Sequence, residues 1–162
     1  MGAPEPARTD LRCWGAVDDP APELLAVLKQ GPFAALEPAA LPALLSKLRR
    51  ERVDRPTFFV GTGTCGLGAG AAATLAALRQ ALAARGVEAD LVEVGCIGLC
   101  SEEPLLDVLL PGKARIAFKA VTAETVDDLL DRIFRGEVPP GRVLGQFEGR
   151  GGLAWAGVAN LA

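Results

Sequence analysis

The spacing of apolar residues predicts alternating helices and strands between residues 20 and 137. Apolar side chains recur at helical intervals in residues 20–52, 71–85 and 122–134. Four short runs are rich in β-forming residues: 56–60 precedes the last two helical segments, and 87–94, 104–110 and 114–121 lie between them. Pro111 and Gly112 separate the last two runs, so we expect those strands to form a hairpin.

This order of elements predicts a single mixed sheet. A β-α-β unit should place its strands parallel with a right-handed helical crossover, and the following β-β-α segment adds an antiparallel pair. We therefore predict an α/β domain with a four-stranded mixed sheet over residues 53–137. Residues 1–52 should form an arm and two extra helices, because Pro32 and Pro38 interrupt the helical pattern.

The composition changes after residue 137. Residues 138–152 are rich in proline and glycine, which is typical of a linker. The last ten residues are apolar again and include Trp155, Val158 and Leu161. We therefore predict that residues 138–162 form a linker and a tail that docks on a partner.

The amino-acid composition excludes several classes of function. The chain has 162 residues, half of them hydrophobic, and a formal net charge of −3, which argues against disorder and against binding of nucleic acid. No apolar run is long enough to span a bilayer and no signal peptide precedes the chain, so we expect a cytoplasmic protein. The absence of histidine excludes Ser-His-Asp catalysis, histidine-ligated zinc and haem, and Rieske ligation. Metal chemistry must therefore come from the four cysteines, with carboxylates as the other available ligands.

Three of the cysteines follow the two strands that should be parallel. Cys65 comes after the first strand, and Cys96 and Cys100 come after the second. The carboxyl ends of parallel strands meet at one sheet edge, so these thiols should converge in a metal or iron–sulfur site. Glycines that let backbone amides approach sulfur flank them: Gly61, Gly66, Gly95 and Gly98. Cys13 lies apart in the arm, where we interpret it as a buried or idle thiol.

Two segments carry a resemblance to a known family. VGTGTCGLGAGA at 60–71, followed by a helix, and VGCIGLCSEEP at 94–104 resemble the thioredoxin-like [2Fe-2S] ferredoxins. The similarity covers roughly residues 56–137, and its second segment is the more specific. It is greatest for the version found at the N-terminus of NADH-binding flavoprotein subunits of complex I relatives, soluble hydrogenases and NAD-dependent formate dehydrogenases.

The resemblance implies a cluster held by four cysteines, of which this chain matches three. Cys96 and Cys100 match the family's second pair. The first pair falls on Gly61 and Gly66, and Cys65 lies one residue from the second of these. No histidine is available as a substitute. We therefore expect the [2Fe-2S] cluster to be lost or incomplete, with Cys65, Cys96 and Cys100 as the metal-facing residues.

Other residues can be considered for the missing ligand, but none is favoured by its spacing. Thr62, Thr64 and Cys13 are the candidates that the sequence offers. The resemblance also implies a setting, the electron-input module of an NADH-dependent redox complex. There the domain would be structural, with a degenerate cluster site, or a one-electron carrier. It would not be catalytic alone, and FMN and NADH would be bound by a partner subunit that works with further iron–sulfur subunits.

The sequence is also compatible with two functions other than a ferredoxin. Gly61, Gly63 and Gly66 form a Gly-x-Gly-x-x-Gly loop between a strand and a helix, as a dinucleotide-binding domain requires, with Glu93 as the ribose acid. Cys65 at a helix N-terminus could instead serve thiol–disulfide redox chemistry with Cys96 or Cys100. A zinc site of three thiolates and one carboxylate does not match zinc-finger spacing.

Overall fold

The computed structural model describes residues 41–51, 53–147 and 152–161. The chain divides into two compact units, residues 1–44 and residues 45–162. The predicted arm, the first of the two extra helices and Cys13 lie outside the described residues. Helix α1 (Leu41–Leu48) matches the second of the predicted extra helices.

The remaining elements follow the predicted order up to residue 134, except for a short helix in the segment that we expected to be a glycine-rich loop. They are β1 (Thr57–Gly61), α2 (Thr64–Gly68), α3 (Ala71–Ala84), β2 (Asp90–Val94), β3 (Leu106–Leu109), β4 (Arg115–Phe118), α4 (Val126–Phe134) and β5 (Val143–Phe147). Single turns of 3₁₀ helix lie at Cys100–Glu102 and Ala123–Thr125. Among the described residues, no helix is long and apolar enough to cross a membrane.

The strands form one mixed sheet in the order β2-β1-β3-β4-β5. Strands β1 and β2 are parallel, as a β-α-β crossover requires, and β3 and β4 form the predicted antiparallel hairpin. Strand β3 also pairs antiparallel with β1, which places β1 at an interior position. All five residues of β1 are accordingly buried. The predicted mixed α/β fold is confirmed, with one strand more than expected.

Helices α3 and α4 pack against each other and cover the sheet. The apolar stripe of α3 is Leu75, Leu78 and Leu82, and that of α4 is Leu129, Leu130 and Ile133, all of them buried. A reciprocal capping box between Thr122 and Thr125 precedes α4. The hydroxyl of the buried Thr74 on α3 donates to the carbonyl of Val121 at 2.8 Å. These contacts fix α3, and with it the loop that precedes it.

The linker prediction for residues 138–162 requires correction. Residues 143–147 form β5, which pairs with β4 and extends the sheet. Trp155 is only 3% exposed, and its indole N–H donates to the carbonyl of Ala114 at 2.8 Å. The Gln146 side chain accepts from the Trp155 amide at 2.6 Å and donates to the carbonyls of Trp155 and Val158. The tryptophan that we expected to meet a partner therefore packs against its own domain; docking of a partner on this segment stays a prediction.

Candidate metal centre

The parallel pair β1 and β2 brings two loops side by side. In the register of this pair Gly61 lies opposite Val94, so both strands end at the same level of the sheet. The amide of Thr62 donates to the carbonyl of Val94 at 2.9 Å, which ties the two loops together at their start. The first loop continues into α2, whose second residue is Cys65, and the second loop carries Cys96 and Cys100.

The three thiols converge as predicted. The sulfur atoms of Cys65, Cys96 and Cys100 all lie within 4.8 Å of one another. The Cys96 and Cys100 sulfurs are 3.5 Å apart, and the amide of Gly98 donates to the Cys96 sulfur at 3.2 Å. Cys65 is half-buried, while Cys96 and Cys100 are exposed. The group is thus open to solvent on the side of the second loop.

Glycines allow the two loops to approach each other. A Cβ atom at Gly63 would lie 2.9 Å from the backbone nitrogen of Cys96, so a larger residue would separate the loops. A Cβ atom at Gly66 would overlap the carbonyl of Gly61. Gly98 has φ of +91°, a conformation that glycine adopts without strain and that directs its amide to the Cys96 sulfur. An added Cβ at Gly95 would meet open space.

A carboxylate reaches the same site. Glu103 follows the second loop and is 9% exposed. Its Oε2 accepts from the Leu105 amide at 2.7 Å, and its Oε1 lies 3.7 Å from the Cys65 sulfur. This contact was not predicted from the sequence, although the Glu103–Pro104 dipeptide belongs to the more specific of the two motifs.

Hydrogen bonds divide the protons unevenly among the thiols. Hydrogen bonds to Cys96 and, to a smaller extent, to Cys100 raise the pKa of Cys65 to about 12. The pKa of Cys96 is lowered, because its thiolate accepts from the Cys65 thiol and from the Gly98 amide. In the metal-free protein Cys96 therefore loses its proton more readily than Cys65 does, and thiolate is the form that binds metals and reacts with disulfides.

The residues present fit the chemistry of an iron–sulfur centre. Such centres are held by cysteine thiolates, and backbone amides close to the sulfurs help set their potentials. The Gly98 amide meets the second requirement, and the three thiols supply three of the four thiolates that such centres usually have. A Cβ atom added at Gly61, Gly63 or Gly66 would meet Glu103, Cys96 or backbone, so the glycines of this loop allow the close packing around the thiols. Glu93, the expected ribose acid, instead pairs with Arg79 at 3.8 Å.

Comparison with known proteins identifies the fold of the chain. No family model and no curated protein matches the chain. Among solved structures, a thioredoxin-like [2Fe-2S] ferredoxin from Aquifex aeolicus matches with a TM-score of 0.50 at 16% identity, over 59% of this chain and 96% of that one. The fold is thioredoxin-like. A crystal structure of the wild-type thioredoxin-like [2Fe-2S] ferredoxin from Aquifex aeolicus matches with a TM-score of 0.48 at 16% identity, over 57% of this chain and 98% of that one.

Proposed function

We propose that this chain is an iron–sulfur protein of the ferredoxin type, which carries single electrons within an NADH-dependent redox complex. The observation that supports this most directly is the convergence of the sulfurs of Cys65, Cys96 and Cys100 within 4.8 Å. The solved structures of similar fold are named as [2Fe-2S] ferredoxins, which is consistent with the proposal. The sequence alone favoured a lost or incomplete cluster, because no fourth ligand was evident from the spacing.

The residues of the site have distinct roles under this proposal. Cys65, Cys96 and Cys100 would hold the irons, and the bound cluster would supply the one-electron chemistry. The Gly98 amide, at 3.2 Å from the Cys96 sulfur, would stabilise negative charge on that ligand and so raise the reduction potential. Gly63 would let the two loops lie close together, and Gly61 and Gly66 would leave room for the first loop's backbone and for Glu103.

The second loop provides a surface for electron exchange. Ile97 and Leu99 lie between the two exposed cysteines and are 67% and 42% exposed. Apolar residues that border a redox site suit short-lived contact with another protein. We propose that this partner is the flavin- and NADH-binding subunit, a choice that rests on the resemblance of residues 56–137 to domains attached to such subunits.

The proposal is tested by the metal content of the purified protein. The chain should be purified without oxygen, or reconstituted with iron and sulfide, and compared with Cys96→Ser, Cys100→Ser and Cys13→Ser. We expect iron, acid-labile sulfide and visible absorption in the wild type, and loss of all three in the first two variants. Cys13→Ser is the matched control and should keep the centre. A folded protein without iron would overturn the proposal.

A second candidate, thiol–disulfide exchange, is favoured by one observation. The sulfurs of Cys96 and Cys100 are 3.5 Å apart, and the pKa of Cys96 is lowered, so this pair could form a disulfide. Its test is titration of free thiols in glutathione redox buffers. A two-electron transition that Cys100→Ser abolishes would support this function, and thiols that stay reduced throughout would exclude it.

A further inference from the structure

We propose that the carboxylate of Glu103 is the fourth ligand of the centre formed by Cys65, Cys96 and Cys100. This inference rests on the proposed function and supplies the ligand that the cysteine spacing lacks. It replaces the expectation of an incomplete site with a mixed site of three thiolates and one carboxylate.

The distance from Glu103 to Cys65 suits two ligands of one ion. Metal bonds to thiolate and carboxylate are about 2.3 and 2.0 Å long, so two such ligands in a tetrahedral shell are roughly 3.5 Å apart. Glu103 Oε1 lies 3.7 Å from the Cys65 sulfur. Its other oxygen, Oε2, is held by the Leu105 amide at 2.7 Å, which fixes the orientation of the carboxylate.

The burial of the Glu103 carboxylate favours a role in metal binding. Glu103 is 9% exposed, and among the described residues it forms no ion pair with lysine or arginine. Buried charges in proteins are normally paired or coordinate metals. The adjacent Glu102 differs in this respect, because its carboxylate pairs with Lys119 at 2.8 Å. A bound cation at the thiols would give Glu103 the positively charged partner that no described lysine or arginine provides.

The carboxylate also fills the space next to the two glycines where the resemblance places the missing cysteines. A Cβ atom at Gly61 would lie 3.0 Å from Glu103 Oε2, and a Cβ atom at Gly66 would lie 3.3 Å from the same oxygen. A side chain at either position would therefore compete with Glu103. Glycine at 61 and 66 and glutamate at 103 are together consistent with a donor that reaches the site from the second loop.

The experiment compares Glu103→Gln with Glu102→Gln after reconstitution of the full chain with iron and sulfide. Glutamine keeps an oxygen to accept from Leu105 but loses the charge. We expect chelators to remove iron from Glu103→Gln about tenfold faster or more, with a shifted visible spectrum. Glu102→Gln should behave as wild type. Far-ultraviolet circular dichroism and melting of the metal-free variants check that both remain folded.

Iron X-ray absorption of the wild type gives a test that needs no variant. A shell containing both sulfur and oxygen scatterers supports ligation by Glu103, whereas a shell of sulfur alone contradicts it. Wild-type retention and spectrum in Glu103→Gln, or loss of iron in Cys13→Ser, would overturn the inference and leave the proposed function standing. A wild-type protein that takes up no iron would overturn both.

Discussion

Glu103 and Cys65 are separated by 38 residues in sequence, yet a carboxylate oxygen of one lies 3.7 Å from the sulfur of the other. The pair joins the segment after β1, where Cys65 lies in α2, to the segment after β2, where Glu103 follows the second loop. The carboxylate therefore lies on the buried side of the three-cysteine cluster, beside Cys65. The other side of the cluster, formed by Cys96 and Cys100, faces solvent. A site closed by protein on one side and open on the other suits a cofactor that exchanges electrons at the surface.

The close approach of Gly66 to Gly61 predicts that alanine is tolerated much less well at Gly66 than at Gly68. Gly66→Ala would push a methyl group into the Gly61 carbonyl and towards Glu103, so the first loop must move. Gly68→Ala in the same short helix would meet open space. We expect Gly66→Ala to lower both thermal stability and iron retention, and Gly68→Ala to lower neither. Equal behaviour of the two variants in melting and iron assays would contradict this packing.

Trp155 should contribute strongly to the stability of the domain. Its ring is buried and its indole N–H is bonded to Ala114, so Trp155→Ala should cost about 3–5 kcal/mol in the free energy of unfolding. Leu153→Ala is the control in the same segment, because Leu153 is 70% exposed, and it should change stability by less than about 0.5 kcal/mol. Urea denaturation measures both. A small effect at Trp155 would mean that the tail is free to dock elsewhere.

The buried hydroxyl of Thr74 provides a prediction about the position of α3. Thr74→Val keeps the shape of the side chain but leaves the Val121 carbonyl without its hydroxyl donor, which should cost about 1–3 kcal/mol. Thr74→Ser keeps the donor and loses one methyl group, so it should be less destabilising. Chemical denaturation of both variants decides the point. A serine variant as unstable as the valine variant would show that packing, rather than the hydrogen bond, holds the helix.

Asp107 predicts a pH dependence of stability. Burial raises its pKa above the usual 3.8, although Arg115 at 2.6 Å opposes the shift. The folded state therefore holds this proton more tightly than the unfolded state does, so stability falls as pH rises from 3.8 through the folded pKa. Asp107→Asn lacks this titration.

The measurement for Asp107 is the difference in unfolding free energy between Asp107→Asn and wild type at several pH values from 3 to 7. We expect the stability of Asp107→Asn to increase relative to that of the wild type as pH rises through this range. A difference that instead moves in favour of the wild type would mean that the Arg115 ion pair outweighs the cost of burying the carboxylate.

Much of the site was predictable because strand direction alone determines which loops meet. A β-α-β order makes β1 and β2 parallel, and that places Cys65 near Cys96 and Cys100. The fifth strand was missed since proline and glycine around residues 138–152 are equally typical of a linker. Glu103 was missed for another reason. Burial of a single carboxylate depends on how two loops pack together, which residue spacing does not encode.

Counts of iron and acid-labile sulfide per chain in the anaerobically reconstituted wild type and in Cys96→Ser show whether the three thiols hold an iron–sulfur centre. We expect about two of each in the wild type, the composition of a [2Fe-2S] centre, and a marked loss in the variant. A folded, colourless wild-type protein with no bound iron and all four of its cysteines free to react would contradict this expectation.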